Sequence, residues 1–190
     1  MLRTIECALA AVLAVATTAG PALAADPATG SVPAAAASPL AIGRCVWESL
    51  PKATRDALLA AGPTIDDFGR AVDAVDKSLM DLARSQCPPV TSKAQEDAVA
   101  EGWTATILTA WSAAQLKSRY GVSQAALEAS WRHVGPAARQ ALAADIDKTP
   151  DASRTEIAGQ ARELGLKDPA AQDLLLFWSM TQLKLAMLGG

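Results

Sequence analysis

The chain has 190 residues, of which 51% are hydrophobic, 19% charged and 4% aromatic, and its formal net charge is −3. That balance excludes a disordered chain, which needs low hydrophobicity and high net charge. It also lacks the basic stripe of a nucleic-acid binder, while 43 alanines favour helix.

Residues 1–24 predict a secretory signal peptide. A short charged start (Arg3, Glu6) precedes an apolar run from Cys7 to Ala19, and Ala22-Leu23-Ala24 supplies a small-x-small end with cleavage before Ala25. The run is too short for a membrane span, which needs about 20 apolar residues. Residues 25–38 are Ala, Pro, Gly, Ser and Thr with one Asp and one Val, without an amphipathic period, which predicts a flexible linker. The expected location is therefore periplasmic or secreted. Two cysteines remain in the mature chain, Cys45 and Cys87, and an even count in an oxidising compartment predicts one disulfide.

From residue 39 onward every signal is helical. Pro39–Ser49 and Pro51–Ala61 predict two short helices. Thr64–Gln86 reads as one amphipathic helix: Thr64 and Asp67 form a capping-box start, and Ile65, Phe68, Val72, Val75, Leu79 and Leu82 follow steps of three and four. Cys87-Pro88-Pro89 stops it. Ser92 caps a long helix to Tyr120, with Gly121 as its stop. Its segment Gly102–Gln115 has no charge, which predicts burial on most sides. Ser123 caps a helix to about Val134, Pro136 opens another to about Ala144, and a further helix ends at Leu164 before Gly165. Asp168-Pro169 opens the last, which ends before Gly189-Gly190 and is uncharged from Leu174 to Leu183. The fold class expected is all-α: a compact bundle of about seven to eight helices occupying residues 39–190.

An internal duplication is expected as well. At an offset of 84 residues Trp47 meets Trp131, Ala53 meets Ala137, Arg55 meets Arg139, and Ala57-Leu58 meets Ala141-Leu142. At an offset of 67, Trp111-Ser112-x-x-Gln115-Leu116-Lys117 meets Trp178-Ser179-x-x-Gln182-Leu183-Lys184. These matches place two pseudo-symmetric repeats at about 39–121 and 123–190 and bring the two uncharged helices together at the centre.

Candidate functional residues follow from the repeated motif. Trp111 and Gln115 share a helix face, as do Trp178 and Gln182. With Trp103 they are read as a core whose Gln amides tie helices together, or as the wall of a pocket for a small apolar ligand between the repeats. Arg55 and Arg139 suit a carboxylate or a helix end. Lys117 and Lys184 suit helix C-termini. His133 is the single imidazole and has neither a nucleophile nor a metal partner at a recognised spacing.

One 12-residue segment resembles an EF-hand calcium loop, with Asp145, Asp147, Thr149, Asp151, Ser153 and Glu156 at ligand positions. It departs from that family at Pro150, because proline cannot adopt the positive φ of the sharp turn. Thr149 capping a helix with Pro150 in its first turn is the simpler reading. Catalytic residues, metal ligands and cofactors are all expected to be none. The function expected is a non-enzymatic binding or interaction module of the cell envelope. Its partner would be a protein or a small apolar ligand, not nucleic acid, with no membrane span in the mature chain.

Overall fold

A computed structural model describes residues 37–144 and 151–189. The expected signal peptide, its expected cleavage point and all of the expected linker but its last two residues lie outside that range. The described residues form nine helices and no strand: α1 Pro39–Ser49, α2 Lys52–Leu59, α3 Ile65–Asp73, α4 Lys77–Ser85, α5 Lys93–Tyr120, α6 Gln124–His133, α7 Pro136–Ala144, α8 Asp151–Glu163 and α9 Pro169–Gly189. All belong to the unit 38–190.

Local hydrogen bonding sets most of the boundaries. Ser38, Ser92 and Ser123 accept from the backbone N–H three residues on, each at 3.2 Å. Gly121 and Gly165 take φ of +71° and +72°, a left-handed conformation that glycine adopts without a Cβ penalty. Beyond each, Val122 N–H reaches Leu116 O at 3.2 Å and Leu166 N–H reaches Ala161 O at 2.7 Å, which closes the helix ends.

The expected single helix over Thr64–Gln86 is two helices. The capping box at Thr64 and Asp67 forms, but Asp76 starts a second helix by accepting from Ser78 N–H at 2.7 Å. An aspartate that bonds its own local backbone competes with helix continuation. The break also lets one apolar stripe serve two clusters. Phe68 on α3 packs on the Trp111 ring, with centroids 4.8 Å apart, while Ala83 on α4 packs with Val46, Leu50 and Leu58.

The two long helices pack against each other in opposite directions: Thr109 Oγ1 meets Thr181 Oγ1 at 2.7 Å, and Lys184 Nζ meets Glu101 Oε2 at 2.8 Å. No residue of Gly102–Gln115 or Leu174–Leu183 is exposed, as missing charge implied. Trp111, Leu116, Leu127, Leu175 and Trp178 form the centre of the main core, each 0% exposed. Helix α1 crosses α5 at a glycine pair. A Cβ on Gly43 would stand 2.6 Å from Trp103 N, and one on Gly102 would stand 3.3 Å from Leu40 Cα. The two backbones approach closely only because both positions lack a side chain.

Candidate functional site

The most organised polar arrangement lies where the end of α2 meets the last turns of α5. A helix C-terminus leaves carbonyl oxygens without intrahelical partners. Here Gln115, only 4% exposed, donates through Nε2 to Leu59 O and Ala61 O, both at 2.9 Å. Trp111 Nε1 approaches the same Ala61 oxygen at 3.4 Å. The other end of the Gln115 amide, Oε1, accepts from Arg119 Nε at 2.8 Å. Every polar atom of the amide is therefore engaged, which gives the side chain one orientation. Above it opens a hollow of about 440 Å³ lined by Asp56, Leu59, Ala60, Ala114, Gln115, Ser118 and Arg119. Asp56 is paired with Lys52 at 2.5 Å, and no described carboxylate pairs with Arg119.

The other candidate residues are not gathered there. Trp111 and Trp178 are fully buried, Trp178 packing edge-on to Trp131 at 6.2 Å. Trp103 is half-buried where α1 crosses. None of these three lines this hollow or a second one of about 490 Å³ beside Arg84, Pro88 and Lys93. Gln182 is half-buried and among the described residues meets no carbonyl pair like that of Gln115. Symmetric burial of the two amides is therefore not observed. Arg55 donates to Glu48 O at 3.0 Å and Arg139 to Trp131 O at 2.8 Å, so both serve helix ends. Lys117 is exposed near its helix end, whereas Lys184 is drawn into the pair with Glu101. His133 is exposed, with Nδ1 3.9 Å from Glu163 Oε2.

Cys45 and Cys87 are joined as a disulfide with Cα atoms 5.8 Å apart. Cys45 sits within the last turns of α1 and Cys87 just beyond the end of α4. Of the calcium-like segment, Asp145, Asp147 and Thr149 lie outside the described residues, while Asp151, Ser153 and Glu156 fall inside α8. Among the described residues no three His, Cys, Asp or Glu side chains converge as a metal set.

At the C-terminal residue of α5, next to Arg119, Tyr120 Oη donates to Asp168 Oδ2 at 3.0 Å, while Asp168 Oδ1 caps α9 through Ala170 N–H. Partial burial, then the Asp168 hydrogen bond and charge, hold the Tyr120 hydroxyl above its ordinary range. Sequence reasoning missed Arg119, although its position four residues after Gln115 is a readable helix-face pairing.

Fold and site together define an all-α, disulfide-bonded helical bundle with a solvent-open hollow between α2 and α5. Searches against family models, curated proteins and solved structures gave no match. Among the described residues no helix is long and apolar enough to cross a membrane.

Proposed function

We propose that this protein is an exported, non-enzymatic binding module of the cell envelope, and that its ligand meets the α2–α5 hollow. The observation that carries the reading is the Gln115–Arg119 pair: a buried amide, fixed by its two bonds to Leu59 O and Ala61 O, holds an arginine through its remaining oxygen at the edge of an open concavity. Export is supported by the signal-like residues 1–24 and by the Cys45–Cys87 bond, which suits an oxidising compartment.

Two measurements test it. Fractionation and N-terminal sequencing should find a protein beginning at Ala25 outside the cytoplasm; a full-length cytoplasmic product overturns export. Hydrogen exchange of that protein, with and without the small-molecule fraction of its native envelope, should show protection at 56–61 and 114–119. Protection elsewhere, or nowhere, overturns the site.

We also infer that the bundle arose by duplication. In support, Leu50 N–H bonds Trp47 O at 3.3 Å and Val134 N–H bonds Trp131 O at 3.1 Å, so equivalent residues close α1 and α6. Arg55 and Arg139 both reach back to the end of the preceding helix. Arg55→Met and Arg139→Met should therefore cost comparable stability in thermal melts, and a cost at one site alone counts against equivalence.

A further inference from the structure

Resting on that binding reading, we propose that the hollow takes a small monocarboxylate carrying a short apolar group, with Arg119 as its anchor. Arginine presents five N–H donors in a rigid plane. The bond from Nε to Gln115 Oε1 uses one and holds the guanidinium by its inner edge. Four Nη donors remain, and no described carboxylate takes them. A planar fork of this kind matches the two oxygens of a carboxylate, and charge-assisted pairs of this geometry are among the stronger hydrogen bonds.

The rest of the lining selects within the anions. Leu59, Ala60 and Ala114 offer apolar surface beside the arginine, so a ligand with an alkyl or aryl group gains from burial there. Asp56 on the rim is paired with Lys52, so among the described residues Arg119 is the one uncompensated charge of the lining, and a single positive charge suits a monoanion better than an ion carrying a second negative charge, such as sulfate. The motif around Gln182 lacks these features: where Gln115 is followed by Ser118 and Arg119, Gln182 is followed by Leu185 and Ala186. The anchor belongs to one copy of the motif.

The test is a heteronuclear NMR titration of the oxidised protein recovered from the exporting cell. The probes are butyrate and benzoate, with butyramide, benzamide and sulfate as controls. Both carboxylates should shift the amides of Leu59–Ala61 and Ala114–Tyr120 saturably at millimolar concentration, the neutral amides should not, and sulfate should bind more weakly. Arg119→Gln should lose about tenfold or more in affinity, with circular dichroism confirming its fold, and Arg119→Lys should fall between because it keeps the charge without the fork. Unchanged affinity in Arg119→Gln, equal binding of the amides, or shifts confined to other segments overturn the proposal. If the envelope fraction protects the hollow while neither carboxylate binds, the ligand class is wrong and the site stands. If neither has an effect, both fail.

Discussion

The segment 39–121 and the segment 123–189 carry the same tryptophan–glutamine motif and use it differently. In the first, Trp111 and Gln115 converge on the Ala61 oxygen, and Ser112 Oγ bonds Leu108 O at 2.7 Å. In the second, the equivalent Trp178 Nε1 and Ser179 Oγ are buried without a hydrogen-bond partner among the described residues, as are Arg139 Nε and Gln160 Oε1, whereas the first segment has one such atom, Trp103 Nε1, outside the motif. The first segment is stapled by a disulfide and seats α1 on α5 through paired glycines. The second has Ala129 opposite Cys45 and the fully buried Leu127 opposite Gly43. A burial pattern can thus recur while polar satisfaction does not, because a tryptophan fills volume wherever it packs, whereas an amide needs a particular carbonyl within about 3 Å.

The comparison breaks most sharply at the disulfide. Replacing Cys45 and Cys87 together by serine removes a staple across 42 residues, worth about 4 kcal/mol in the chain-entropy model. Denaturant melts should show that loss, with hydrogen exchange rising first in α1 and α4. A loss spread evenly over both segments would mean the staple does not distinguish them.

The seating of the short tryptophan-bearing helices comes next. Leu127→Ala should cost about 2–5 kcal/mol by leaving a cavity. Gly43→Ala should cost about 1–3 kcal/mol for the opposite reason, since its methyl meets the α5 backbone. A neutral Gly43→Ala in urea unfolding would show that α1 slides on α5 freely.

The glutamines sharpen the contrast. Gln115→Leu strands the Leu59 oxygen and leaves the Ala61 oxygen only the longer approach of Trp111 Nε1, at about 1–3 kcal/mol. Gln182→Leu, half-buried and without that carbonyl pair, should stay within about 0.5 kcal/mol of the parent. Equal costs would restore a symmetric role for the two amides.

The smallest expected effect is on pH. The Asp67 carboxyl is held below its ordinary value of 3.8, first by the Thr64 hydroxyl, and Asp76 is lowered by the Ser78 N–H. A depressed folded value means that this stabilisation is present above about pH 3.8 and lost as pH falls through the folded values. Tyr120 is shifted upward, so its contribution is present below its ordinary value of 10.0 and lost as pH rises through the folded one. Acid should loosen α3 and α4, and alkali the junction of α5 with α9, as read by exchange at 64–85 and 118–170. Loosening in the reverse order would refute the assignment.

What the sequence determined by itself was whatever a few neighbouring residues decide. Ser92 and Ser123 cap, Gly121 and Gly165 stop, and stretches without charge are buried, because those bonds close within one helical turn and a helix lacking charge has no face to give to water. The pairing of Cys45 with Cys87 followed from their count once residues 1–24, which hold Cys7, are read as removed. Even the break at Asp76 was local in cause, but the stripe Val72, Val75, Leu79 runs through it unbroken, and only the presence of two clusters to fill shows why the chain turns there. The tertiary structure alone decided that Gln115 finds carbonyls more than fifty residues away, that Gly43 meets Gly102, and that Lys184 leaves its own helix end for Glu101. Such partners are chosen by how the described helices fill one volume, and a periodicity of three and four residues states which face is buried without stating what it is buried against.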